Sequence, residues 1–359
     1  MRQYREFDRD LVRIEPNLPE REAFYTLVNE IWERGWLTND GPLVREFEYE
    51  LGVLTGAKHV IAVANGTLAL MIAARALGIE GDFVCPSFTF IATPHALYWQ
   101  GATPVFGDVG LSYNLNVFSA ETILQSREIT GIVATQVFGT PLNPKFRDIA
   151  DEYDIPLLVD SAHTLGCDLP LLGDAEVLSF HATKIVHSFE GGAILTDNPA
   201  VAERCSLMRQ FGFRGQANVV SEGINGKMSE VHAAMGILSL RELEAQVAHN
   251  REEYKRYMDG LEPIPDLSLG YTGKNFHCVP VLVSPSCPLT RDELVTILLK
   301  EGILARRYFY PGCHKGEPYR TLYPELHLPN TEVLCDSILI LPNHSAGWVC
   351  EVLWRVLRR

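Results

Sequence analysis

The stretch Ser179-Phe180-His181-Ala182-Thr183-Lys184-Ile185-Val186-His187-Ser188-Phe189-Glu190-Gly191-Gly192 puts one lysine in a short polar turn between two apolar runs, 175–180 and 191–196. Runs of that length and composition predict buried strands. A lysine beside a core is costly to keep charged, so its pKa falls and its amine becomes nucleophilic. Schiff-base chemistry requires such an amine. The hydroxyls of Ser179, Thr183 and Ser188 offer contacts to an anionic group, and Gly191-Gly192 lets another body approach the backbone closely. A surface turn that happens to carry a lysine is the commoner case, so partners elsewhere in the chain decide.

Outward from that turn, strand and helix alternate. Toward the N-terminus the pattern predicts strands at 59–64, 82–85, 103–106, 131–135 and 155–159, and helices at 21–34, 44–55, 68–77, 91–99 and 146–153. Such alternation implies a mostly parallel sheet covered by helices on both faces. Ligands in these sheets sit outside the carboxyl ends of the strands. Asn65, Asp160 and the Lys184 turn all lie at or just beyond such ends. After Lys184 come a helix at 199–211 and one long helix from 229 past 254, then a smaller α+β pattern. That pattern has strands at 276–283, 304–309 and 338–341 and helices at 291–301 and 347–357. The expected organisation is an irregular arm (1–20), a large domain (21–250) and a small C-terminal domain (251–359).

Composition bounds the function. The 359 residues are 47% hydrophobic and 21% charged, enough for a large core and two domains. A formal net charge of -14 argues against a nucleic-acid or anionic-membrane surface while leaving room for a local phosphate pocket. Eight scattered cysteines with no Cys-x-x-Cys pair suit reduced thiols in a cytoplasm, with no zinc or other metal site. The charged, polar first twenty residues show no signal peptide. The apolar span 60–79 is broken by Asn65-Gly66-Thr67 and Arg75, so strand, turn and helix explain it better than a membrane span.

A lysine that forms an imine needs a carbonyl partner. If that partner is pyridoxal phosphate, three devices are expected. A carboxylate pairs with the pyridine nitrogen and keeps the ring an electron sink; Asp160, after an apolar strand, suits it, although it would equally serve as a turn or cap residue. An anion seat holds the phosphate; Gly66 and Thr67 at a helix N-terminus, with Ser179, suit that. An aromatic face covers the ring, with Phe88 and Phe90 as candidates. Each item alone has an ordinary structural explanation, but their order along the chain, each after a strand, is far more specific.

These motifs resemble the DegT/DnrJ/StrS aminotransferases, fold-type I pyridoxal-phosphate enzymes of the aspartate-aminotransferase-like fold that mostly act on nucleotide-linked keto sugars. The likeness covers nearly the whole chain. It runs through Gly35-Trp36-Leu37-Thr38 with Gly41-Pro42, Asn65-Gly66-Thr67, Pro86-Ser87-Phe88-Thr89-Phe90, Asp160-Ser161-Ala162-His163, Ser179 to Lys184, and Glu190-Gly191-Gly192. Asn225-Gly226-Lys227-Met228-Ser229-Glu230 and Ala305-Arg306-Arg307-Tyr308-Phe309-Tyr310-Pro311 complete it. The resemblance implies Lys184 as imine lysine and proton carrier, Asp160 as the pyridine partner and His163 beside the ring hydroxyl. It implies Gly66, Thr67 and Ser179 at the phosphate, and Phe90 rather than Phe88 as the stacking aromatic. Lys227 falls where relatives reach across a dimer interface to the neighbour's phosphate. Thr38 and His314 fall in segments that line the sugar pocket of relatives. Gln136 stands where many relatives carry histidine, a departure with no assigned consequence.

The implied enzyme is a homodimer with sites at its interface. It takes nitrogen from L-glutamate, releases 2-oxoglutarate, and aminates C4 of dTDP-4-keto-6-deoxy-D-glucose. Sugar 3-dehydratases of the family carry histidine at the lysine position, so Lys184 implies transamination. Amination at C3 of a 3-keto sugar nucleotide is the alternative. A non-catalytic pyridoxal-phosphate-binding regulator would normally carry an added DNA-binding segment, for which the chain leaves no room. A Rossmann dehydrogenase would need Gly-x-Gly-x-x-Gly after the first strand, and the segment after Ala64 lacks it.

Overall fold

A computed structural model describes residues 11–215 and 217–358. The first ten residues of the expected arm lie outside them. From 11 to 20 the chain is irregular and tied down by a bridge between Val12 and Ile303.

Seven strands make the large sheet: β1 (His59–Val63), β2 (Asp82–Pro86), β3 (Thr103–Gly107), β4 (Gly131–Thr135), β5 (Leu157–Asp160), β6 (Ala175–Ser179) and β7 (Gly192–Thr196). Their order is β1-β7-β6-β5-β4-β2-β3. Neighbours pair parallel except around β7, which runs antiparallel to both β1 and β6. The strands are apolar on both faces because helices cover both. On one face lie α3 (Gly66–Leu77), α4 (Ala92–Tyr98) and α7 (Pro199–Arg209), and α3 buries Ala69, Leu70, Ile72, Ala73, Ala74 and Ala76. That near all-round burial is why 60–79 reads almost like a membrane span. The opposite face is covered by α1 (Arg21–Arg34), α2 (Pro42–Thr55) and α8 (Glu230–Arg241) at one end, and by α5 (Val117–Ser126) and α6 (Lys145–Glu152) at the other.

Two motif segments distant in sequence meet at α2. The Glu230 carboxylate accepts from Leu43 N at 3.0 Å and Val44 N at 2.9 Å, which satisfies orphan donors of the first turn. A Cβ on Gly41 would sit 2.5 Å from Glu230 Cδ, so a side chain there would push the carboxylate off these donors.

Beyond α7 a short hairpin, β8 (Phe213–Arg214) and β9 (Asn218–Val219), precedes α8. The single long helix expected from 229 is two helices. It breaks at Glu242, and α9 (Leu243–Leu261) follows. α8 packs Ala233, Ala234 and Ile237 on the large sheet, and α9 starts in that same core with Leu243 and ends in a second cluster with Tyr257 and Leu261. A three-stranded antiparallel sheet, β10 (Leu267–Leu269), β11 (Val279–Val283) and β12 (Ile338–Leu341), carries that second core. With it pack α10 (Arg291–Lys300) and α13 (Ala346–Leu357); α11 (Tyr319–Leu322) and α12 (Pro329–Ser337) lie between. The strand expected at 304–309 is absent. Only Arg306 pairs, in a bridge to Ile340, after which Tyr308 and Phe309 turn off and stack on each other 5.0 Å apart. α5, α12, β10 and the hairpin were missed because their apolar positions are too few or too irregular to show a period.

Candidate active site

A cleft of about 1060 Å³ opens at the carboxyl ends of the central strands. Its wall includes Gly66, Thr67, Phe90, Asp160, His163, Ser179 and Lys184, seven of the ten residues singled out from the sequence.

The anion seat is built by close backbone approach. Asn65 caps α3, its side chain accepting from Leu68 N at 2.9 Å, and this leaves the first-turn N–H groups facing outward. A Cβ on Gly66 would lie 3.1 Å from Ser179 Cβ. A Cβ on Gly192 would lie 2.6 Å from Asn65 C and 2.7 Å from Gly66 N. Glycine at both positions therefore lets β6 and β7 press against the turn. The Thr67 and Ser179 hydroxyls have no protein partner among the described residues.

Asp160 ends β5, half-buried in the wall. Its Oδ2 accepts from Thr93 Oγ1 at 2.7 Å and its Oδ1 from Ala162 N at 3.2 Å. Burial pushes its carboxyl above the ordinary range, against the Thr93 bond, the Lys184 charge and the Ala162 bond. Burial likewise pulls the Lys184 ammonium below the ordinary lysine range, opposed by Cys278 and Asp160 and assisted by Arg306. The Lys184 amine has no hydrogen-bond or ion-pair partner among the described residues. A desolvated, unengaged amine in a cleft is a nucleophile.

His163 accepts from Phe138 N at Nδ1, 3.2 Å away, and lies over the Phe138 ring with centroids 6.1 Å apart. That bond assigns the neutral tautomer with hydrogen on Nε2. Burial, the Lys184 charge and His277 hold its pKa well below the ordinary value. Phe90 is 61% exposed at the rim, whereas Phe88 is fully buried among Tyr113, Phe138 and Phe309.

Three candidates lie off the cleft wall. Lys227 sits beside β1, bridging Val63, with its ammonium 4.6 Å over the Phe211 ring. The Thr38 carbonyl accepts from Trp36 Nε1 at 2.6 Å in the exposed turn before α2. His314 is buried, its Nδ1 2.6 Å from Ser87 Oγ and its Nε2 3.3 Å from Glu332. That commits the ring to joining the 312–316 loop to the end of β2.

Sequence reading missed Thr93, which holds Asp160. It also missed the wall residues Thr135, Glu190, Arg306 and Tyr308. Arg306 and Tyr308 were visible only as part of a motif, since nothing local says that their loop folds over the sheet. The eight cysteines are all unpaired, and among the described residues no helix is long and apolar enough to cross a membrane.

The model of the DegT/DnrJ/EryC1/StrS aminotransferase family matches residues 19–347. The chain is 34% identical over 341 residues to a dTDP-4-amino-4,6-dideoxy-D-glucose transaminase of Shigella dysenteriae, covering 92% of this chain and 93% of that one. Among solved structures it superposes on DesI in the presence of its TDP-sugar product with a TM-score of 0.92 at 37% identity, covering 98% of this chain and 94% of that one. NtdA from Bacillus subtilis with bound cofactor PMP superposes with a TM-score of 0.85 at 25% identity, covering 94% of this chain and 82% of that one.

Proposed function

The chain belongs to the DegT/DnrJ/EryC1/StrS aminotransferase family, and from that premise we propose that it aminates C4 of dTDP-4-keto-6-deoxy-D-glucose, with L-glutamate as donor. It is an aminotransferase that works with pyridoxal 5'-phosphate. The single observation carrying the reading is the convergence of an unengaged Lys184 amine, the Asp160 carboxyl and an anion seat on one cleft.

The residues present fit that cofactor. Among the described residues the Thr67 and Ser179 hydroxyls have no protein partner beside a helix N-terminus, and Thr135 Oγ1 is buried without one. A buried hydroxyl such as that of Thr135 is costly unless a ligand engages it, while those of Thr67 and Ser179 stand open to one. In the proposal Gly66, Thr67 and Ser179 hold the phosphate, Asp160 the pyridine nitrogen, His163 the ring hydroxyl side and Phe90 a ring face. When bound, the cofactor supplies an aldehyde that condenses with amines and a ring that draws electrons from the adjoining carbon. Lys184, set free as an amine, takes a proton at the reacting carbon and returns one at the neighbouring position. Asp160, braced by Thr93, keeps a proton at the far end of the site. The rim contributed by Phe90, Tyr308 and Phe309 excludes water from the amine.

The choice of C4 rests on the relatives named above, a dTDP-4-amino-4,6-dideoxy-D-glucose transaminase and DesI with its TDP-sugar product. The proposal includes a homodimer with sites at the interface and work in the cytoplasm. Supporting the dimer, the 210–227 excursion exposes Phe211, Val219, Val220 and Ile224, and Lys227 stands at its end. The proposed domain boundary near residue 250 is supported by α9, whose first residue packs with the large core and whose last turn packs with the small one.

Purified protein should be yellow, and glutamate should shift its absorption to that of the aminated cofactor. Single turnovers of the aminated enzyme against keto-sugar nucleotides should then yield a 4-amino-4,6-dideoxy sugar. A spectrum that ignores glutamate overturns the donor, and amination only at C3 overturns the regiochemistry.

A further inference from the structure

Behind the cleft floor lies a buried chain of three polar side chains. Ser161 Oγ is 2.8 Å from Gln136 Oε1 and 2.6 Å from Glu176 Oε2. Gln136, Ser161 and Glu176 are 3%, 1% and 4% exposed. The other Glu176 oxygen accepts from Leu172 N at 2.8 Å and lies 3.5 Å from Gly173 N. Among the described residues no cation pairs with this carboxyl. Asp174, two residues earlier, is paired with Arg147, and Asp160 on the adjacent strand is held by Thr93 and Ala162.

Counting protons constrains the chain. A serine hydroxyl has one hydrogen. If Glu176 is ionised, Ser161 faces two acceptors and one of the two short contacts has no hydrogen in it. One added proton fills both: Glu176 donates to Ser161, and Ser161 donates to Gln136. Burying a lone carboxylate without a cation is also the expensive alternative, and burial does push the Glu176 carboxyl above its ordinary range. With its oxygen committed to Ser161, Gln136 is left with two N–H donors that have no acceptor among the described residues. Gln136 lines the cleft, directly after Thr135, whose buried hydroxyl also lacks a partner.

We propose that Gln136 is a ligand-positioning residue whose amide N–H is turned into the cleft by an un-ionised Glu176 acting through Ser161. Together with the Thr135 hydroxyl it presents two donors to an acceptor oxygen of the bound cofactor. This rests on the aminotransferase reading. It gives the glutamine its own consequence, because its amide accepts from Ser161 and keeps two N–H donors for the cleft, where a neutral histidine accepting from Ser161 would keep one.

The test uses the full chain and pyridoxal phosphate. Infrared difference spectra of the holoenzyme at pH 7 should show the carbonyl stretch of one un-ionised carboxylic acid that disappears in Glu176→Gln. The Kd for pyridoxal phosphate, from absorbance titration of apoprotein, should rise about fivefold in Gln136→Leu and in Ser161→Ala, the loss of one hydrogen bond. In Glu176→Gln, whose amide can donate to Ser161 as the acid does, the Kd should stay within about twofold. The opposite arrangement has an ionised Glu176 accepting from Ser161 and a reversed Gln136 amide. It predicts no acid band, and a Kd that rises in Glu176→Gln as much as in Ser161→Ala; either result overturns the proposal. Should Ser161→Ala fail to fold, the band and the Gln136→Leu titration still decide. Wild-type protein that binds no pyridoxal phosphate would sink the functional reading instead, and the band alone would then judge the Glu176 chain.

Discussion

Thr93→Val tests the floor of the site where geometry and charge meet. Thr93 is fully buried, its hydroxyl donating to Asp160 at 2.7 Å with the Thr89 hydroxyl 2.9 Å away. Valine keeps the shape and removes the hydrogen bonds. The bond to a carboxylate is worth about 1.5–3 kcal/mol and the neutral one to Thr89 about 1 kcal/mol. The sign follows from Asp160, whose folded pKa is raised by burial. The unfolded chain releases its proton first as pH climbs, so ionising this carboxyl costs stability above the unfolded range. Thr93 offsets part of that cost, and only where the carboxylate exists. Urea denaturation of apoprotein should therefore show Thr93→Val less stable by about 3 kcal/mol at pH 8, narrowing toward about 1 kcal/mol as the pH falls into the ordinary aspartate range. A deficit independent of pH would refute the assignment of Thr93 as the carboxylate's support. No deficit at all would refute the geometry.

Lys184→Ala should abolish borohydride-trappable attachment of the cofactor, read by mass spectrometry, and lower turnover by at least about a thousandfold. Gly192→Ala drives a Cβ to 2.6 Å from Asn65 backbone atoms, so it should cost about 1–3 kcal/mol in urea denaturation and weaken pyridoxal phosphate at the same time. His277 donates from Nε2 to the Thr183 carbonyl at 2.8 Å, and burial lowers its pKa to about 4. The unfolded chain takes up that proton first on acidification, so the histidine should drain about 3 kcal/mol of stability as the pH falls from about 6.5 to 4. His277→Gln should flatten that slope in denaturation curves, and an unchanged slope would count against a neutral buried imidazole.

Much of this was legible in one dimension. Val60 to Val63, 131–134 and 157–159 are continuous apolar runs because strands covered on both faces have no polar side to alternate. The turn at Asn65-Gly66-Thr67 was legible because capping chemistry is local. The helix break at Glu242 was not, because the apolar residues on either side of it pack in one core and leave no interruption in the sequence pattern. Thr93 sits in a helix start with no local sign that a carboxylate 67 positions later will need its hydroxyl. His314 falls in a segment that lines the sugar pocket of relatives, and nothing local in the sequence shows that its ring lies against Ser87 and Glu332.

The sequence by itself determined the alternation of strand and helix, the lysine between two buried strands and the aspartate at a strand end, because hydrophobic period and turn chemistry are properties of neighbours along the chain. The tertiary structure alone decided which hydroxyls are left unpartnered, that Thr93 braces Asp160, and that a buried acid stands behind Gln136. Those depend on strand order, which brings β4, β5 and β6 side by side, and on desolvation, which acts on a group only once the rest of the chain has closed around it.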